Sequence, residues 1–338
     1  MAVIEVGVLG LGRVGASIGL GLRRYNRGKE ARQQFAVNGY DPRQSMMSSA
    51  ETRGVADRYQ RSPLEAVKDK DIVVLALPYA EVQAAYRAIA PMLRADVVIL
   101  DASPLKLPSQ EWARKHLPDS IHTVGVTPIL NAKYLYDGLD DATHAAEDLF
   151  DDGVMLLMPD PRANADAVQL ATDFSTILGA TSHFVDPVEH DGLAAAVEGL
   201  PALLGVAMFQ MLRRSDGWSD ARRAGNPALG SLIHHLHDTH PDDLRDLVLH
   251  NRENTLRYLS EYIDVLESFR DTLARGDRAA LEAAVVSSEE AYRDWVLKRA
   301  SNRWDERGDG DDSQRPSMMD GLFGSFLSKR MRGSGKKG

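Results

Sequence analysis

The chain has no cysteine. Disulfides, thiolate nucleophiles, zinc ribbons and iron–sulfur clusters are excluded at once. Positive charge is not in excess: 40 Lys and Arg face 49 Asp and Glu, for a net charge of −9. No basic face of the kind that binds nucleic acid is therefore advertised. No uninterrupted apolar run reaches the roughly 20 residues of a membrane span. The opening MAVIEVGVLG has neither a charged leader region nor a small-residue cleavage site. These absences point to a cytoplasmic protein without a membrane span. Lysine is also missing between Lys133 and Lys298, a gap that excludes one reading below. What remains is 43% hydrophobic and 26% charged over 338 residues, a globular composition long enough for two domains.

Seven segments read as strands: 3–9, 35–40, 72–78, 97–103, 122–128, 153–159 and 181–186. Their near-continuous apolar runs alternate with helical patterns at 13–24, 44–53, 81–93, 108–116 and 163–178. That alternation predicts an α/β fold, a Rossmann-type and mostly parallel sheet with helices on both faces. After Pro187 the strand pattern stops. Residues 189–213 form an apolar helix, and 241–274 place Leu256, Ile263, Leu266, Phe269 and Leu273 on one helical face. Residues 277–299 repeat the habit. The expected organisation is a dinucleotide-binding domain over 1–187, an all-helical dimerisation domain over 188–300 and a disordered tail over 301–338. Long helices with few partners predict that part of the apolar face is buried in a second copy. A weakly amphipathic patch at 318–331 reads either as a docking peptide or as a loose end with a few hydrophobes.

Gly10-Leu11-Gly12-Arg13-Val14-Gly15 is a G-x-G-x-x-G that follows a strand and opens a helix, the context this motif requires. The first glycine permits a tight turn, the second admits a pyrophosphate, and the third lets helix and strand pack closely. Asp41 ends the second strand 26 residues beyond Gly15, the polar segment 25–34 accounting for the extra length. A carboxylate there accepts hydrogen bonds from ribose hydroxyls and repels a 2′-phosphate, so NAD is expected over NADP. Arg43 is the residue that could accept such a phosphate instead. Leu77 and Pro78 close a neighbouring strand and complete the expected cofactor set.

Ligands of open parallel sheets bind beyond the carboxyl ends of the strands. Three such ends carry polar residues: Ala76-Leu77-Pro78-Tyr79, Asp101-Ala102-Ser103-Pro104-Leu105-Lys106 and Gly125-Val126-Thr127-Pro128. Ser103 and Lys106 can donate hydrogen bonds to a carboxylate or carbonyl.

In the order GLGRVGASIGLGL, ALPYAEV, DASPLK, GVTPI and VEHDGLAAAVEGLPALL, residues 3–275 resemble the prephenate/arogenate dehydrogenase family of tyrosine biosynthesis. The resemblance implies a Rossmann domain, a helical dimerisation domain, and NAD(P)-linked oxidative decarboxylation of a small anionic cyclohexadienyl acid. Two departures stand out. The family's glycine–histidine–proline stretch is Val126-Thr127-Pro128 here, and its serine–histidine–leucine–proline–histidine stretch is Glu198-Gly199-Leu200-Pro201-Ala202. Thr127 hydrogen-bonds but is no base near neutral pH. His190, opening the first helix of the second domain, is the candidate replacement. His122 begins the strand that ends at Thr127 and so lies at its opposite end. The resemblance places an arginine of the helical domain near Arg222 and Arg223, and Arg223 is the candidate partner of a substrate carboxylate. Lys106 and Lys133 are further candidates.

The catalytic set is then Ser103, Thr127, His190 and Arg223. No metal is expected, since the HHLHDTH run of 234–240 shows no matched ligand spacing. Two alternatives stay open. One is a binding-only sensor or scaffold that keeps the fold. The other is a relative of the 3-hydroxyacid dehydrogenases; these place a catalytic lysine on the first helix of the second domain, where this chain has none.

Overall fold

A computed structural model describes residues 3–29, 31–137 and 141–301. The part of the expected tail from residue 302 onward, with its patch at 318–331, lies outside the described residues.

Each strand of the first half alternates its side chains between two apolar layers, and this is what covers the sheet on both faces. In β1 (Val3–Leu9) Val6 and Val8 join one layer and Leu9 the other. The first layer also receives Ala16, Ile18 and Leu22 of α1 (Arg13–Arg27), with Phe35 and Val37 of β2 (Gln34–Tyr40). Ala50 of α2 (Gln44–Arg53) belongs there too. A short β3 (Arg58–Tyr59) and α3 (Pro63–Val67) follow, neither expected from the pattern. They are too short for any periodicity to show. Then β4 (Ile72–Leu75), α4 (Tyr79–Ile89) and β5 (Val98–Asp101) repeat the alternation: Ile72 and Val74 point one way, Val73 and Leu75 the other. Each such side chain contributes about 1.5–3 kcal/mol by leaving water.

The remaining elements of this half are α5 (Lys106–His116), β6 (His122–Ile129), β7 (Val154–Pro159), α6 (Ala165–Ile177) and β8 (Thr181–Phe184). The sheet order is β3-β2-β1-β4-β5-β6-β7-β8, and only the β6–β7 pair is antiparallel. Chain order reverses between β1 and β4, which opens a crevice at their carboxyl ends. Gly10 makes that crevice possible. Its φ is +94°, and an added Cβ would lie 2.1 Å from the Ala76 carbonyl oxygen.

The second half is helical: α7 (Pro187–Ala194), a π-helical turn at Ala195–Gly199, α8 (Leu200–Arg213), then α9 (Trp218–Ala221), α10 (Pro227–Ile233), α11 (His235–Asp238), α12 (Pro241–His250), α13 (Arg252–Arg275) and α14 (Arg278–Ser301). The helix expected over 241–274 is interrupted at Asn251, whose backbone leaves helical geometry (φ −116°, ψ 33°) while its side chain donates to the Asp191 carbonyl. One helix passes the length and composition test for a membrane span without overturning the expectation that the chain has none. Pro187–Arg213 is one 27-residue helix, long and apolar enough by length and composition to cross a membrane. Its few charged residues break the run in sequence but leave its average apolar. Two of them, His190 and Asp191, are bound to the first domain, as an interdomain helix requires. Leu256, Ile263, Leu266, Phe269 and Leu273 of α13 all remain exposed in the single chain.

Gly10→Ala is expected to destabilise the protein by about 3 kcal/mol, because backbone on both sides of the turn must move. Urea unfolding checks this; an unchanged midpoint would contradict the packing described.

Candidate functional site

The cofactor cradle follows from backbone constraints. Asp41 ends β2 with its carboxylate wholly buried. One oxygen accepts from the Leu11 amide at 2.8 Å, and the carboxylate also accepts from the Arg43 amide and guanidinium. The glycine turn is thus held from the side where the ribose of a dinucleotide would lie. Gly12 is the N-cap of α1 and offers no capping side chain, and the first turn carries no acidic residue. Gly15 packs so close that an added Cβ would sit 1.9 Å from the Gly10 carbonyl oxygen. A helix N-terminus with neither a capping side chain nor an acidic residue in its first turn suits a pyrophosphate. The residues present therefore fit a dinucleotide.

Of the other expected cofactor residues, Arg13 is buried, its guanidinium on Asp137 at 2.9 Å and over the Tyr134 ring. Val14 follows it in the first turn of α1. Leu77 is buried against the sheet, and Pro78 is the N-cap of α4, so the strand ends at Leu75 and the expected boundary at 78 moves back.

At the carboxyl ends of β5 and β6 the structure brings His190 and Thr127 together. His190 Nε2 lies 2.8 Å from Thr127 Oγ1, and its Nδ1 lies 2.9 Å from Asp191 Oδ1. Asp191 accepts the Lys106 amide at 2.7 Å and the Leu107 amide at 2.9 Å. A carboxylate from the helical domain therefore caps α5, whose own N-cap residue, Leu105, cannot. This cap explains why α5 starts at Lys106, two residues before the boundary the sequence suggests. Burial lowers the His190 pKa below the ordinary 6.5, Asp191 opposes that, and the Lys106 ammonium adds to it.

Ser103 and Lys106 are turned away from a ligand. Ser103 is buried, and its hydroxyl donates to the Leu105 carbonyl at 3.2 Å. The Lys106 ammonium, fully buried, donates to the carbonyls of Asp101, Ser103 and Val126, and burial lowers its pKa. Their expected role as donors to a substrate carboxylate is replaced by a structural one. Asp101 completes this knot by accepting from Tyr86 Oη at 2.8 Å, from the Ser103 amide and from the Ser109 hydroxyl.

Arg222 and Arg223 are exposed on the turn after α9, and no contact among the described residues joins Arg223 to the His190–Thr127 pair. Lys133 pairs with Asp148 and lies over the Tyr134 ring. His122 bonds Asn164 at 2.9 Å at the far end of β6. Among the described residues no group of three or more His, Asp or Glu is placed to hold a metal ion.

Three site residues were not predicted: Asp191, Asn251 and Glu198. A charged His-Asp pair inside an apolar helix was the signal available for Asp191. Glu198 sits on the π-helical turn, a device often found at functional sites. It is exposed to solvent yet crowded enough that burial raises its pKa, with Lys106 opposing and Asp191 adding.

Comparison with known proteins gives a consistent result. Residues 22–184 match the family model for the prephenate dehydrogenase nucleotide-binding domain, and residues 186–286 match that for its dimerization domain. The prephenate dehydrogenase of Bacillus subtilis is 23% identical over 293 residues, covering 86% of this chain and 75% of that protein. The cyclohexadienyl dehydrogenase of Zymomonas mobilis is 23% identical over 279 residues, covering 81% and 89%. The crystal structure of Aquifex aeolicus prephenate dehydrogenase, in complex with hydroxyphenyl propionate and NAD+, shares the fold with a TM-score of 0.71. That match has 19% identity and covers 87% of this chain and 99% of the other.

A histidine whose pKa is lower in the folded than in the unfolded state stabilises fully above the unfolded pKa and loses its share as pH falls. The native protein is therefore expected to lose stability as pH drops below about 6.5, and His190→Gln to weaken that dependence. Urea midpoints measured across this range check it; identical slopes in the two proteins would contradict the burial of a neutral imidazole.

Proposed function

The chain belongs to the prephenate dehydrogenase family, and on that premise we propose that it oxidatively decarboxylates a cyclohexadienyl acid with NAD, taking arogenate in preference to prephenate. The observation that carries the reading is the convergence of Thr127, His190 and Asp191 at the carboxyl ends of β5 and β6. They share the sheet edge on which the glycine turn opens. When bound, the nicotinamide supplies the hydride acceptor. Gly10, Gly12, Gly15 and Asp41 would hold the dinucleotide.

NAD rather than NADP is supported by charge. Asp41 and Glu81 both lie near the Arg43 guanidinium, so a 2′-phosphate would meet two carboxylates for one cation. Arogenate rather than prephenate is supported by Glu198. Arogenate carries an amine where prephenate carries a keto group, and the exposed Glu198, which lies near Asp191 and Lys106, would attract the ammonium as a carboxylate. A charge-assisted hydrogen bond of this kind contributes about 1.5–3 kcal/mol. The exposed apolar face of α13, within the segment matching the dimerization domain, supports a homodimer in which a second copy covers it.

Steady-state NADH formation with each acid, and with each dinucleotide, tests the reading. Turnover with arogenate and NAD is expected. Glu198→Gln should raise KM for arogenate about tenfold and change that for prephenate little. Dinucleotide binding without turnover on either acid would favour a binding-only protein instead.

A further inference from the structure

We propose that Thr127 and His190 form a proton relay, the threonine hydroxyl passing the substrate's hydroxyl proton to the imidazole behind it. The inference rests on the reaction proposed above and names the residues that move its proton.

His190 is 3% exposed, whereas Thr127 is half-buried near the carboxyl end of the β6 strand. A substrate can therefore meet the hydroxyl but not the ring. Both oxygens of Asp191 act as acceptors, Oδ1 toward the Lys106 amide and Oδ2 toward the Leu107 amide. An acceptor at 2.9 Å from Nδ1 makes that nitrogen the one bearing hydrogen. The lone pair of Nε2 then faces Thr127 Oγ1 at 2.8 Å, and the hydroxyl hydrogen points inward to it. The oxygen lone pairs of Thr127 are left for the hydroxyl of a bound acid. A threonine alone is no base near neutral pH. Coupled to an imidazole it accepts one proton as it gives up another and never becomes an alkoxide.

The step balances. The carbinol C–H bond breaks, and its electron pair leaves as hydride to the nicotinamide. The carbinol proton moves to Thr127 Oγ1 while the threonine proton moves to His190 Nε2. The imidazolium so formed is paired with Asp191. The C–C bond to the ring carboxylate then breaks, CO₂ departs, and its electron pair aromatises the ring, leaving a phenolate oxygen. The relay runs backward and protonates that oxygen, so no proton is exchanged with solvent overall. The charged groups facing His190 are Asp191 on its own helix and Lys106 on α5, with Glu198 beyond Lys106.

The test combines kinetics on the whole chain with ¹⁵N NMR of its histidines. Thr127→Val is expected to lower kcat about 100-fold with little change in KM, and Thr127→Ser to restore most of it. His190→Gln should lower kcat as far and abolish the fall in activity on acidification. The double variant should be no slower than either single, because the two residues act as one unit. In the unliganded protein, His190 should show its hydrogen on Nδ1. A Thr127→Val enzyme within threefold of the unmodified one, an additive double variant, or hydrogen on Nε2 would each overturn the relay alone. Absence of turnover by the unmodified chain on either acid would overturn the reaction itself, and the relay's use with it.

Discussion

The carboxylate of Asp191 is the contact on which the site depends. It comes from the helical half of the chain and caps a helix of the sheet domain, accepting the amides of Lys106 and Leu107. The same oxygen that takes the Lys106 amide also orients His190. Interdomain docking and imidazole orientation are thereby one interaction. Rotation of one half against the other would uncap α5 and misalign the ring together. Asn251 secures the arrangement by donating to the Asp191 carbonyl, which is why the long helix breaks where it does.

Beneath this contact lies a second constraint, the knot around Lys106. A buried ammonium is costly unless its donors are satisfied, and here three carbonyls converge on it. One, from Asp101, ends β5, one, from Ser103, belongs to the loop after it, and the third, from Val126, belongs to β6. The lysine thus fixes the spacing of the two strand ends and places Thr127, the next residue, against His190. Its positive field lowers the His190 pKa as well, keeping the imidazole neutral and able to accept a proton. Lys106 serves the site without touching the ligand.

The sheet was legible in the sequence because its strands are buried on both faces, and continuous apolar runs such as Ile72–Leu75 have no other simple explanation. The glycine turn was legible because its spacing encodes close backbone approach. The long helices were legible as periodic faces, but the break at Asn251 was not, since only its tertiary partner reveals it. The roles of Ser103 and Lys106 were misjudged for a related reason. Donor chemistry can be read from residue type, whereas the direction of a side chain depends on what surrounds it. Arg223 shows the same limit: a guanidinium suits a carboxylate anywhere, and its position is set by a turn of the helical domain that carries no strong pattern. The π-helical turn gave no sequence signal either.

The departures at 127 and 198–202 acquire a common sense from this geometry. A threonine in β6 is no base near neutral pH, but it is the right length to reach a ring already held by Asp191. A bulkier residue at 127 would have to displace that ring. The neighbouring segment changes the charge of the cleft in the same direction: Gly199 and Ala202 remove side-chain volume, and Glu198 brings a carboxylate whose protonated form burial favours and Lys106 opposes. Through both departures the glycine turn and its carboxylate remain those of a dinucleotide site.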